Sequence, residues 1–291
     1  MKIEIVLQAA VLGLLQGGVY ALIAAGLTLI YGVMKIVNFA HAEFVTLGMY
    51  LSFFAFTQGG IDPYLSIFLV LPVVFGLGVV IHRICIQPAL SHPQINQMLI
   101  TIGISTMIIG FLQLVWGPNM VVIRTSYARE VIALGDVRIT YTRLAAFLVS
   151  IIVTVGFWYF LKYTKRGMAI RAVSQNPDSA RLVGINVERI QLVIMGLGLS
   201  LAALAGILIG PIFAVFPTVG IDLFLLPAFV IVVLGTMGNF VGALIGGLII
   251  GLVEALGGVI LGASLRQFAC LSIFVLILLF MPRGLFGGRL R

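Results

Sequence analysis

Lys162-Tyr-Thr-Lys-Arg-Gly-Met-Ala-Ile-Arg171-Ala-Val-Ser-Gln-Asn176-Pro-Asp-Ser-Ala180-Arg-Leu-Val-Gly184-Ile-Asn-Val-Glu-Arg189 is a basic, polar run set between two long apolar stretches. Its contrast with its flanks decides the fold. Within it, Asn176 suits a helix N-cap and Pro177 the first helical position. Asp178 suits the positive end of the helix dipole, and Gly184 the stop just past the last turn. A short helix closed at both ends, in the most basic loop of a hydrophobic chain, is a docking element offered to a cytosolic partner. The chain therefore reads as a subunit driven from outside the bilayer.

The flanks make it a polytopic membrane protein. Hydrophobic residues form 62% of the 291 and charged residues 9%, and mean hydropathy is +1.23, far from the soluble balance of about a quarter charged. The net charge of +8 sits between apolar segments, where anionic lipid and the positive-inside rule account for it without nucleic acid. Cys85 and Cys270 are isolated in apolar stretches, which gives no disulfide framework. Ala40-His41-Ala42 mimics a signal cleavage site, but the run from Ile5 to Tyr31 far exceeds a signal h-region of roughly 7–15 residues and reads as a retained span.

Apolar segments fall at about 5–31, 38–58, 64–82, 97–116, 144–161, 190–214, 222–238, 242–262 and 266–281, nine candidate crossings. With 162–189 on the cytosolic side, that side holds eleven Lys and Arg: 35, 83, 162, 165, 166, 171, 181, 189, 283, 289 and 291. The opposite side holds six: Lys2, Arg124, Arg129, Arg138, Arg143 and Arg266. The imbalance places the amino end outside and the carboxyl end in the cytosol.

Segments one to four resemble six to nine in character. Each set opens with a long small-residue helix and continues with a short segment behind a polar residue, Asn38 in one and Asp222 in the other. The odd helix at 144–161 starts the second set from the opposite face. The expected fold is thus a single all-α polytopic membrane domain, with repeat 1 at about 5–116, a linking helix at 144–161, a cytosolic loop at 162–189 and an inverted repeat 2 at about 190–281. Gly13, Gly17 and Ala21 recur every four residues, as do Gly198, Ala202, Gly206 and Gly210; Gly242 with Gly246 and Gly247 with Gly251 repeat the spacing. Such rows let helix backbones approach in lipid, within one bundle or at a seam with a second subunit.

No phosphate-binding loop, dinucleotide fingerprint or His-Glu-x-x-His motif is present, and no Ser/His/Asp constellation stands out. His82 and Cys85 share a helical face with His92 nearby, but further ligands at matching spacing are missing. The chain does not read as an enzyme.

Gly26-Leu-Thr-Leu-Ile-Tyr31-Gly-Val-Met-Lys35-Ile-Val-Asn38-Phe-Ala-His41-Ala-Glu43-Phe44 closely resembles the signature of permeases from high-affinity branched-chain amino acid importers. Arg171 to Asn186 is similar to their cytosolic coupling segment, with its Ala-x-x-x-Gly core at Ala180 and Gly184. Val233 to Gly247 and the terminal Pro282-Arg-Gly-Leu-Phe-Gly287 also match, and the length resembles the shorter of the two permeases such systems pair. Thr236, Asn239 and Phe240 depart from the small residue and Ser-Ile-Pro-like stretch usual there.

The resemblance implies an ATP-binding-cassette system: a second, homologous permease, two cytosolic P-loop ATPase subunits that hold ATP and Mg, and a periplasmic amino-acid-binding protein. The chain itself would bind no cofactor and lie in the bacterial inner membrane. Arg171, Asn176, Pro177, Asp178, Ala180, Arg181, Leu182 and Gly184 are the expected ATPase-coupling residues. Related permeases for urea and other small amides share much of the pattern and stand as the alternative substrate class. An ion-coupled secondary transporter working through Glu43 and Glu254 is the rival mechanism, and a passive urea-like channel a third.

For the translocation path, short segments at corresponding repeat positions point to the second and seventh, behind Asn38 and Asp222. Helix N-termini there would attract a passing carboxylate. His41, Glu43 and Glu254 are costly in lipid and so face protein or water. Asn38, His41, Glu43, Asp222 and Glu254 are the candidate path residues, with capping and interhelical hydrogen bonding as the structural reading of the same side chains.

Overall fold

The structure is a computed structural model that describes residues 3–135, 137–281 and 284–286. Lys2, Arg283, Arg289 and Arg291 of the charge pattern, and Pro282, Arg283 and Gly287 of the terminal motif, lie outside the described residues. The chain is helical almost throughout. Its helices are α1 (Ile3–Met34), α2 (His41–Gly59), α3 (Ile67–Ile81), α4 (Gln87–Ala89), α5 (Gln94–Trp116), α6 (Tyr141–Tyr163), α7 (Lys165–Gln175) and α8 (Pro177–Leu182), followed by α9 (Val187–Ile209), α10 (Leu226–Leu234), α11 (Phe240–Ile260) and α12 (Arg266–Phe280). A π turn at His82–Ile86 joins α3 to α4, and another at Gly220–Leu225 leads into α10. Among the described residues, six helical stretches are long and apolar enough to cross a bilayer: Ile3–Met34, Ile67–Ala89, Gln94–Trp116, Tyr141–Tyr163, Val187–Ile209 and Phe240–Ile260.

Two of these, α1 and α9, form the centre and are buried over most of their length. The others turn large apolar side chains outward, among them Phe68, Leu114 and Ile152, as lipid-facing helices must. The centre is held by close backbone approach. On α1, Gly13 and Gly17 lie against α11: a Cβ at Gly17 would stand 2.7 Å from the Gly247 carbonyl oxygen, and one at Gly247 2.6 Å from Ala21 Cα. Gly251 meets the Gly13 carbonyl and Gly17, so α1 and α11 interlock along a glycine–alanine seam. Gly206 on α9 abuts Val45 of α2, Gly210 faces Ile123, Gly242 abuts Gly235, and Gly246 lies against Ile231 and Leu234. Lipid tails are as apolar as leucine, so dispersion across such contacts, not the hydrophobic effect, holds these helices together.

Two features depart from the sequence-based reading. The segment before α6 contains a β-hairpin, β1 (Val131–Leu134) and β2 (Val137–Thr140), paired from Val131↔Thr140 to Leu134↔Val137. It closes on α1, where Leu15, Val137 and Ile139 form a small cluster and Gln8 exchanges bonds with the Arg138 backbone at 2.7 and 2.8 Å. The fold is therefore not purely α. Second, 162–189 is not a loop with one short helix. It contains α7 as well as α8, and α9 begins within it at Val187. Thr164 caps α7 by accepting from the Gly167 amide at 3.0 Å, and Asn186 caps α9 by accepting from Arg189 at 2.9 Å.

Candidate functional site

In α8 both ends are closed by chemistry within a few residues. Asn176 Oδ1 accepts from the amides of Asp178 and Ser179, each at 3.0 Å. At the other end Ile185 donates to the Ala180 carbonyl and Gly184 to that of Arg181, both at 3.0 Å, the paired bonds of a Schellman motif. That motif needs a left-handed residue, and Gly184 has φ +82°. Asp178 pairs with Arg181 across one turn at 3.0 Å. Ala180 is buried against the chain's own bundle, whereas Leu182 and Val183 are 88% and 74% exposed. Arg171, on α7, donates to the Lys162 carbonyl at 3.0 Å and ties α7 to the end of α6. The result is a short element closed at both ends, with an apolar tip that none of the described residues covers.

The candidate path residues divide into two places. Asn38, His41 and Glu43 lie where the chain doubles back. After Met34, residues 35–40 run without regular structure alongside α1, beginning at Lys35 in a left-handed conformation (φ +58°). Thr101 of α5 holds this stretch, accepting from the Phe39 amide at 3.3 Å and donating to the Val37 carbonyl at 3.4 Å. Asn38 accepts from the Ala40 amide at 3.1 Å. His41 Nε2 donates to the Ile23 carbonyl at 2.9 Å, so α2 starts beside the body of α1, not beyond its end. Glu43 is fully buried and accepts from Ser105 at 3.3 Å and Thr46 at 3.4 Å.

The seventh segment behaves alike. After α9 the chain runs through residues 210–219, largely without helix, and Gly220 opens its π turn against Ala42 and Thr46. The Gly220 amide donates to Thr46 Oγ1 at 2.9 Å. From this junction α2 runs toward the end of the bundle where α1 begins, where Tyr64 donates to Thr142 and Tyr127 to Asp62. There burial, then the Asp62 carboxylate, push the Tyr127 hydroxyl well above its ordinary pKa. Segment 220–234 runs the other way, to Gly238, whose Cα would stand 3.5 Å from a Cβ at Gly32. Two broken helices thus meet start to start, and the chain Ser105–Glu43–Thr46–Gly220 joins them. Asp222 is near but apart: its side chain is exposed and accepts from Thr218 at 2.7 Å.

Glu254 belongs to neither group. It is 4% exposed on α11 and pairs with Arg266 at 2.6 Å, with Tyr20 3.5 Å from the same guanidinium. Among the described residues no group of three or more His, Cys, Asp and Glu side chains has metal-binding geometry.

Thr46, Thr101, Ser105 and Arg266 are the partners the sequence reading missed. A signal existed for three: Gln97, Thr101 and Ser105 form an i, i+4 polar row on apolar α5, and Thr46 sits one turn beyond Glu43. Arg266 counted only as a flanking charge. The departures near α11 have local roles. Asn239 caps that helix by accepting from Gly242 at 3.1 Å, Phe240 stacks on Phe157, and Thr236 takes φ +68°, a conformation that favours glycine.

Comparison with known proteins covers the whole architecture. The family described as "Branched-chain amino acid transport system / permease component" matches residues 9–281. The high-affinity branched-chain amino acid transport permease LivH of Salmonella typhimurium is 30% identical over 97% of this chain and 95% of its own length. BraD of Pseudomonas aeruginosa, with the same description, is 30% identical over the same shares. A probable LivH of Methanocaldococcus jannaschii is 28% identical over 98% of this chain and 92% of its own length. No solved structure matches. With its bundle of apolar helices and a likeness that runs from end to end, this multi-pass membrane protein belongs to the branched-chain amino acid transport permease family.

Proposed function

We propose that the chain is the permease subunit of an ATP-driven, binding-protein-dependent importer of branched-chain amino acids. It pairs with a second permease, takes substrate from a periplasmic binding protein and is driven by two cytosolic ATPase subunits that hold ATP and Mg. The observation that carries the reading is α8: a helix locked at both ends, with Leu182 and Val183 projecting from a chain that is similar along its whole length to importer permeases. A motor that pushes on a membrane domain needs a lever that does not bend, and an apolar tip for it to grip. Arg171, Asn176, Pro177, Asp178, Ala180, Arg181 and Gly184 build and orient that lever.

In this reading the protein is a single domain of the bacterial inner membrane, with nine crossings, the amino end outside and the carboxyl end cytosolic. Its halves are inverted repeats. In support, α1 begins beside Arg138 and ends beside Leu161 and Ile170, whereas α9 begins next to α8 and ends beside Ile123, so the opening helices of the two halves run in opposite directions. The packing also survives exchange of the halves: α1 lies on α11 as α9 lies on α3, and α2 lies on α9 as α10 lies on α1. The start-to-start junction of the second and seventh segments is then the gate of the path, with Asn38, His41 and Glu43 on one side and Asp222 near the other. The glycine rows at 13, 17, 206, 210, 242, 246, 247 and 251 hold the bundle around it.

The test is reconstitution with the partner subunits in proteoliposomes. Leucine, isoleucine and valine should be taken up only with ATP and binding protein, and urea or small amides should not compete. Uptake driven by a proton or sodium gradient without ATP would replace this reading with an ion-coupled one.

A further inference from the structure

At the end of the bundle where α1 begins, a polar cavity of about 270 Å³ opens between α1, α6, α11 and α12. Gln16, Arg143, Glu254 and Arg266 line it, over a floor of Gly13 and Gly251. Its polar groups are only half matched. Arg266 Nε holds Glu254 Oε1 at 2.6 Å, but Glu254 Oε2 is buried with no hydrogen-bond partner among the described residues, and so is Gln16 Nε2. Arg143, in the first turn of α6, makes no ion pair or side-chain hydrogen bond among the described residues. Two guanidiniums face one carboxylate. The cavity therefore lacks one anion for Arg143 and one donor for Glu254 Oε2, and a polar atom buried without a partner is destabilising.

A solute that carries a carboxylate and an ammonium on one carbon supplies both. We propose that this cavity is a receiving site for the head group of an α-amino acid, with the carboxylate on Arg143 and the Gln16 amide and the ammonium on Glu254 Oε2. Arg143 suits the first role because its planar fork matches a carboxylate with two parallel bonds. Phe213, Leu12 and Ala255 supply an apolar wall for the side chain. The volume lies just under the span of roughly 300–1,000 Å³ typical of drug-sized ligands, which suits a smaller solute. In a ligand-free role the same residues would only tie α12 to α11, which Arg266 and Glu254 achieve without Arg143 or Gln16. The proposal rests on the amino-acid permease reading above. It adds a site at the receiving end, separate from the Glu43 junction.

The experiment measures binding and uptake in the same preparation, the intact complex in lipid. Binding of radiolabelled L-leucine is compared with that of 3-methylbutylamine, which lacks the carboxylate, and 4-methylpentanoate, which lacks the ammonium. L-Leucine should bind at least tenfold more tightly than either. Arg143→Gln should weaken leucine binding at least tenfold while the amine is unaffected, and Glu254→Gln should weaken leucine but not 4-methylpentanoate. Should Glu254→Gln fail to assemble, because it strands Arg266, Arg143→Gln still decides. Leucine uptake with wild-type KM in assembled Arg143→Gln overturns the site and leaves the function standing. A complex whose ATPase is stimulated by some other solute, with no amino acid taken up, overturns the function and the site with it.

Discussion

The α1–α11 seam and the α7–α8 element are rigid for opposite reasons. In the seam, rigidity comes from having no side chains: Gly13, Gly17, Gly247 and Gly251 let two backbones touch, and Ala21 is completely buried there. In α8 it comes from side chains and special backbone, an Asn cap at one end and a left-handed Gly at the other, while Leu182 and Val183 stay outside. The first region is finished within this chain. The second is finished only when something covers Leu182 and Val183. Under the proposed function that difference separates a scaffold from a lever, and substitutions in the two regions should fail in different ways.

The largest effect is expected in the seam. Gly247→Val places a branched side chain where a Cβ alone would sit 2.6 Å from Ala21 backbone and side-chain atoms. Overpacking of this kind costs typically 1–3 kcal/mol and more where backbone cannot move. The yield of monodisperse protein in detergent should collapse, and a wild-type yield would mean the seam is looser than described.

Next comes the tip of α8. Leu182→Asp touches no buried contact, so yield and melting temperature should stay within error of wild type. Substrate-stimulated ATP hydrolysis in the complex should fall by roughly 30-fold, the loss of a single interface anchor of about 2 kcal/mol. A drop in yield instead would make Leu182 part of the scaffold.

Smaller effects test the caps. A Cβ at Gly184 would meet no atom within 4 Å, so the cost of Gly184→Val is chiefly the left-handed backbone, about 1–2 kcal/mol. Asn176→Ala removes a cap worth about 1 kcal/mol. Both should raise amide exchange across residues 176–185 and weaken coupling several-fold, leaving exchange in α1 and α11 unchanged. Slower coupling with unchanged exchange would show that stiffness of α8 is not what transmits the stroke.

How much of this was legible in the sequence follows the same division. The α8 caps were readable because Asn176, Pro177 and Gly184 all lie within one nine-residue stretch, 176–184. The seam was only half readable: the four-residue spacing of Gly13, Gly17 and Ala21 announces a close contact but carries no address, and α11 lies over two hundred residues away. The α7 helix was hidden by Lys165-Arg166-Gly167, which resembles loop composition, although Thr164 three residues before Gly167 is a cap signal. The hairpin had its own cue in Val131-Ile132 and Val137-Arg138-Ile139 flanking Gly135-Asp136, a common two-residue turn pair. Arg143 and Arg266 counted as flanking charges because nothing local says that the first turns of two helices share a cavity with Glu254.

The lever role of α8 is tested most directly by crosslinking. A single cysteine at Leu182→Cys, joined by a short bifunctional reagent in the assembled complex, should yield one crosslinked species containing a P-loop ATPase, and its formation should block ATP-driven uptake. A cysteine at Ala9→Cys, at the opposite end of the bundle, should give no such product. If the position-182 cysteine instead reacts with an impermeant maleimide from outside sealed cells, or crosslinks only to lipid while uptake proceeds, α8 is not the point where the motor grips this chain.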